Sequence, residues 1–223
     1  MKTFVQCILT IAALAATPAI SFAQVPPDQR IEFGDPKTAA RSGPPGVATR
    51  LEAKSKYQYL IDLVAREHSD KPCQVTARFA HVNQLNEFEQ TWTDPGCKKP
   101  TKRSEEDLYP KSNEEHKNGT FFITSLRTCI SRINTRVKGV KGEGHDVTRA
   151  TFLTQVEGTD SHIALTGFPD PVPGFDRFHC KKSQWQTPSQ CGNNRVATGI
   201  VIEHEDGSWT SLRLICSLMF PKK

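Results

Sequence analysis

The sequence predicts a mainly β protein: an antiparallel sandwich, barrel or prism, stabilised by disulfides and carrying one N-terminal amphipathic helix. Three observations predict it. Beyond Cys73 the apolar residues alternate with polar ones at a period of two, the repeat of a half-buried strand. Six cysteines follow a segment that reads as an export signal. The helical period comes once and the strands follow in series, without the βαβ alternation of a parallel sheet.

Residues 1–23 read as a secretory signal peptide. Lys2 supplies the positive start, Phe4 to Ala16 the apolar stretch, and Ser21-Phe22-Ala23 the small residues of a cleavage site near Ala23. The expected location is therefore secreted or periplasmic. Cys7 leaves with the signal. Loss of Lys2 lowers the formal charge from +5 to +4, a mild balance that does not make nucleic acid the expected partner. No later apolar run approaches the length of a transmembrane helix.

Residues 24–46, rich in Pro and Gly, are expected as a flexible leader, and 47–223 as a single β-rich domain. From Ala48 to Glu67, the residues Ala53, Tyr57, Leu60 and Val64 fall at spacings of four, three and four, which predicts the helix. Gln74–Phe79 alternates as a strand. Residues 94–119 form a long polar insertion with mixed charges, expected as solvated loop. It contains the one N-glycosylation sequon, at Asn118. Phe121 to Val140 reads as a long strand, bent or split near Cys129, and Val147–Val156 with Ile163–Phe168 as a hairpin.

The C-terminal hairpin joins Arg195–Glu205 to Trp209–Phe220 through Asp206-Gly207-Ser208. A three-residue loop opposes Ile202 to Leu212, Ile200 to Leu214, Thr198 to Cys216 and Val196 to Leu218, making one face apolar. A two-residue loop would instead set Ile200 against Arg213 and Ile202 against Ser211, so the odd loop is expected.

Cys73, Cys97, Cys129, Cys180, Cys191 and Cys216 contain no Cys-x-x-Cys, so they read as disulfide partners rather than metal ligands, and no metal or other cofactor is expected. Six cysteines allow 15 pairings. Cys180–Cys191 closes the smallest loop and is the favoured one, presenting Trp185 on a tethered polar segment.

Trp185, Trp92 and Trp209 lie in polar surroundings, where exposed rings grip sugars or partner surfaces. The competing reading folds each ring back onto the domain. Alternation from Arg132 to Lys138 places Arg132, Asn134, Arg136 and Lys138 on one strand face, a cationic stripe that Arg127 and Lys141 extend. Its plainer reading is a solvated face paired with carboxylates. Glu203-His204-Glu205 and His145 with Asp146 offer the groups of general acid–base chemistry, although strand geometry points His204 away from Glu203 and Glu205. The function expected is an exported binding protein for a glycan or an anionic surface, rather than an enzyme. The alternative is a small secreted hydrolase of an anionic polymer, RNA or polysaccharide, with His204, Glu203 and His145 as catalytic candidates.

Overall fold

The structure, a computed structural model, describes residues 31–68, 71–82, 84–95, 105–107, 121–133, 135–146, 150–152, 163–165, 169–176 and 180–221. The expected signal peptide with its cleavage site, Asn118, and all of the polar insertion except Asp94, Pro95 and 105–107 lie outside the described residues.

The chain is mainly β and its sheets are antiparallel. In order the strands are β1 (Ile31–Thr38), β2 (Val47–Glu52), β3 (Gln58–His68), β4 (Lys71–His81), β5 (Gln84–Thr93), β6 (Glu105–Asp107), β7 (Phe121–Ile130), β8 (Val137–Asp146), β9 (Ala150–Phe152), β10 (Ile163–Leu165), β11 (Asp170–Asp176), β12 (Ser189–Gln190), β13 (Arg195–Glu205) and β14 (Ser208–Pro221). One sheet runs β2-β13-β14-β10-β9, with β1 also paired to β14. A second runs β11-β8-β7-β12, and a third β5-β4-β3-β6. All three contribute to one core: Ile200, Ile202, Leu212 and Leu214 from the first, Ile123, Leu126 and Val140 from the second, Leu60, Leu63, Val75 and Phe79 from the third. Each such side chain contributes about 1.5–3 kcal/mol through burial. A second cluster joins Ile31 and Phe33 of β1 to Tyr59, Phe122 and Met219.

Two expectations near the start are corrected. Among the described residues there is no α-helix: of the span Ala48 to Glu67 expected as helix, the first part lies in strand β2 and the part from Gln58 in strand β3. Every residue from Tyr59 to Ala65 is buried. Leu60, Leu63 and Ala65 face one cluster, while Tyr59 and Ile61 face the other. A strand buried on both faces loses its period of two, and a register shift between Leu60 and Asp62 scrambles it further. The helical spacing is what remains. Residues 31–46, expected as leader, hold β1, which pairs with β14 and buries Ile31 and Phe33. They also hold a bridge from Ser42 to Leu212.

Gln74–Phe79 lies within β4, with Val75, Ala77 and Phe79 fully buried. β9 and β10 pair as expected for a hairpin, Ile163 opposite Phe152. The long stretch from Phe121 is split into two antiparallel strands, β7 and β8. Arg132 and Ile133 occupy the turn, Thr135 has φ +53°, and strand resumes at Val137. The expected single-strand stripe is broken by this turn: Arg132 lies in the turn, Arg136 precedes β8 and Lys138 stands within it, while Asn134 lies outside the described residues.

In the C-terminal hairpin Ile202 opposes Leu212 and Ile200 opposes Leu214, as the face-matching requires. The loop is nevertheless two residues, Asp206 at φ +45° and Gly207 at φ +71°, with Glu205 opposite Ser208. Thr210 is bulged out of the ladder, which restores the odd register from Glu203 onward. A second bulge at Thr198 moves Cys216 opposite Ala197 and Ser217 opposite Val196, instead of the expected Thr198 and Leu218.

Cys129 bonds Cys180 and Cys191 bonds Cys216, so the favoured Cys180–Cys191 pairing is corrected. Cys180 and Cys191 end one segment, but each reaches a different sheet, β7 in one case and β14 in the other. Cys73 is also disulfide-bonded. Disulfides fit an oxidising compartment. Among the described residues no helix is long and apolar enough to cross a membrane.

Candidate binding face around Trp185

The segment between Cys180 and Cys191 lies along the edge of β7. Gln186 donates its backbone N–H to Thr128 O at 2.9 Å, Cys191 donates to Thr124 O at 2.8 Å, and Ser189 and Gln190 pair with Leu126 and Ser125. A 3-10 turn at Lys182–Gln184 leads into Trp185, which bridges to Cys129. The inward residues of β7 and β8, Leu126, Ile130, Val137 and Val140, belong to the core. The opposite face carries Arg127 directly across from Lys141.

Two like charges opposed across a ladder destabilise it. Here an aromatic ring sits with them: Lys141 Nζ is 4.1 Å from the Trp185 ring centroid and the Arg127 guanidinium 5.8 Å. A cation over an indole face gains about 0.5–1 kcal/mol at an exposed site. Arg132 reaches the same segment from the hairpin tip, donating to Ser183 Oγ at 2.5 Å. The tip also holds Ile133, 94% exposed.

The charges of this face are not neutralised. Among the described residues Arg127, Arg132, Arg136, Lys141, Lys181 and Lys182 make no ion pair. Elsewhere Lys37, Arg41, Arg50, Lys56, Arg78, Arg195 and Arg213 each reach a carboxylate, and Lys54 lies over the Phe88 ring instead. Glu143, two residues from Lys141, is exposed and likewise unpaired among the described residues. Lys138 lies at a register shift in β8 and is half-buried.

The other tryptophans are not at the surface. Trp209 is fully buried and donates its indole N–H to Ser211 O at 2.8 Å. Trp92 is buried in the core and stacks on His204, ring centroids 4.9 Å apart. The acid–base candidates diverge. His204 Nε2 lies 3.4 Å from Thr49 Oγ1 beside Trp92. Glu203, on the other face of β13, is held by Arg41 Nε at 2.6 Å and Arg213 Nη2 at 2.9 Å, and accepts from Ser211 Oγ at 3.0 Å. Glu205 is exposed at the turn, and His145 stands in β8 opposite Phe122. Among the described residues no three His, Cys, Asp or Glu side chains are grouped to hold a metal ion.

The sequence separates Trp185 from Lys141, Arg132 and Arg127 by more than forty residues, and no local pattern links them. The signal that could have found the grouping is the split of residues 121–140, because the β7–β8 turn alone brings Lys141 opposite Arg127.

No family model matches the chain, and no curated protein matches it. Similar solved structures include lectins. One is Calsepa lectin in complex with a bisected glycan, at 9% identity, over 85% of this chain and 99% of that one, with a TM-score of 0.45. Another is Calsepa lectin with a biantennary N-glycan, at 10% identity, over 80% and 95%, with a TM-score of 0.43. A third is Calystegia sepium agglutinin, at 10% identity and the same coverages, with a TM-score of 0.40.

Proposed function

We propose that this chain is an exported binding protein that takes an anionic glycan onto the outer face of the β7–β8 sheet. The observation that carries the reading is the placement of Arg127 and Lys141 over the half-buried Trp185, with Arg132 on the adjoining hairpin tip bonded to Ser183, all three without carboxylate partners among the described residues. Unpaired cations attract sulfate or carboxylate groups. An indole ring supplies rigid apolar area for the C–H face of a sugar. The disulfides suit a protein that works outside the reducing cytoplasm. The hydrolase reading loses ground because Glu203 and His204 face apart and Glu203 is engaged by two arginines.

The test is titration calorimetry with a sulfated glycosaminoglycan and its desulfated form. The sulfated polymer binds, its affinity falls as NaCl rises, and the desulfated form, which keeps only its carboxylates, binds more weakly. Arg127→Ala with Lys141→Ala removes about 1.4 kcal/mol, a tenfold loss, and Trp185→Ala a comparable amount. Equal binding of the two polymers, or variants that bind as the parent does, refutes the reading.

A further inference from the structure

We propose a second ligand site, for a neutral polyhydroxylated molecule of monosaccharide size, in the cleft between β1, the β2–β3 loop and the β13–β14 pair. It is separate from the cationic face and does not depend on the reading given for that face. The cleft has a volume of about 260 Å³ and is lined by Phe33, Gln58, Thr198, Ile215 and Ser217, among others. That is smaller than the pockets that take drug-sized ligands.

The sheet is opened at this place from both sides. β14 has two neighbours here, and both ladders break beside Ser217. In β13 the extra residue is Thr198, between Ala197 opposite Cys216 and Gly199 opposite Ile215. In β1 the two residues Asp35 and Pro36 face the single Ser217, between Gly34 opposite Leu218 and Lys37 opposite Cys216. Bulges re-aim side chains and collect beside binding sites. The β1 bulge is held in place: Asp35 has φ +49°, and the Arg195 guanidinium donates to both its carboxylate and its backbone carbonyl.

The groups beside these bulges suit hydroxyls. Thr198 Oγ1 and Ser217 Oγ form a buried pair at 2.7 Å. Thr198 Oγ1 also donates to Ile215 O at 3.4 Å, so both protons are used and the pair offers a ligand its remaining lone pairs. The Gln58 side-chain oxygen accepts from Lys54 N and Ser55 N, both at 3.1 Å, which fixes the amide. Its NH2 group makes no hydrogen bond among the described residues. Phe33 and Ile215 supply the apolar wall. The charges at the rim are engaged elsewhere: Lys56 with Glu32, Glu52 with Arg50, and Lys54 over the Phe88 ring. A ligand here meets hydroxyls, an amide and an aromatic ring, and the one rim charge without a carboxylate partner among the described residues, Lys54, lies over the Phe88 ring, which favours a neutral polyol over an anion.

The experiment follows backbone amide shifts by NMR while D-glucose, D-galactose, D-mannose and myo-inositol are each added to about 50 mM, with sodium glucuronate as the charged comparison. Such small ligands bind with millimolar constants. At least one neutral member shifts Phe33, Gln58, Thr198 and Ser217 saturably, and glucuronate does not. Ser217→Val and Gln58→Ala each weaken that binding about tenfold, while Arg127→Ala with Lys141→Ala leaves it unchanged. Gln58→Ala keeps the test decisive if Ser217→Val fails to fold. No saturable shift at these amides with any neutral member, shifts centred on Trp185 instead, or affinities unaltered by Gln58→Ala overturn the proposal.

Discussion

Replacing Glu203 by Gln tests how the segment Arg41–Gly46 is fastened over the C-terminal hairpin. The segment bridges from Ser42, beside Leu212, to Val47, which begins the strand on the far edge of β13. Gly43 lies against Thr210 and Ser211, at φ +115° and with no room for a Cβ, and Gly46 lies against the His204 backbone. Beneath it, Glu203 has a side chain 1% exposed between two guanidiniums that are 37% and 30% exposed. Removing one partner of a buried ion pair costs about 3–5 kcal/mol. Both arginines reach water and so recover part of their hydration, and Gln retains the bond from Ser211. We therefore expect a loss of about 2–3 kcal/mol, at or below the low end of that range. With a urea slope of about 2 kcal/mol/M, the unfolding midpoint falls by about 1–1.5 M. The assay is urea unfolding followed by far-ultraviolet circular dichroism, for Glu203→Gln, Arg41→Ala, Arg213→Ala and the double variants. The singles should not add, because the three groups form one cluster. A loss below about 1 kcal/mol for Glu203→Gln, with additive doubles, refutes the reasoning.

Three further outcomes are expected. The Arg195 hydrogen bond, with help from Lys37, holds the Asp35 carboxyl below its ordinary value of 3.8, so its stabilising effect is present above that pH and is lost as pH falls through the lowered value. Asp35→Asn should flatten the acid limb of a stability–pH curve, and an unchanged limb counts against the bulge lock. Burial raises the Tyr59 hydroxyl far above its ordinary 10.0, so stability falls as pH rises beyond about 10; Tyr59→Phe should reduce that alkaline loss in thermal scans. Replacing both Cys191 and Cys216 by Ala opens a link spanning 25 residues, for which loop-closure entropy predicts a loss of about 3.5 kcal/mol. Calorimetric melting that shows no drop would locate the constraint elsewhere.

What could be read from the sequence follows from which faces are wet. Ile200, Ile202, Leu212 and Leu214 could be paired in advance because their strands alternate between core and outer face, and a slip would have buried Arg213. β3 was not legible, because burial on both sides removes the contrast that marks a strand. β1 was hidden by length: Ile31 and Phe33 are its only buried apolar side chains, next to Pro and Gly. The β7–β8 turn carries neither Gly nor Pro, so its break passed for strand. The aromatic and cationic halves of the candidate face were each visible, as Trp185 and as Arg132 to Lys141. Their meeting depends on strand pairing and on Cys129–Cys180, which no local pattern encodes. The cleft beside Ser217 was invisible for the same reason, since both bulges that open it are properties of the ladder.

The pairing of β1 with β14 joins Ile31 to Pro221 across nearly the whole described chain. The β3–β4–β5 meander and the β7–β8 hairpin are local and close over short loops. The β1–β14 and β2–β13 ladders are not: each spans well over a hundred residues. Such contacts are slow to form. During synthesis the first two units can fold as separate pieces while β1 and β2 wait for strands that emerge last. Strands that must wait for partners made last leave β14 as the element that closes the fold, and defects in β14 should reduce the yield of folded protein more than they speed its unfolding.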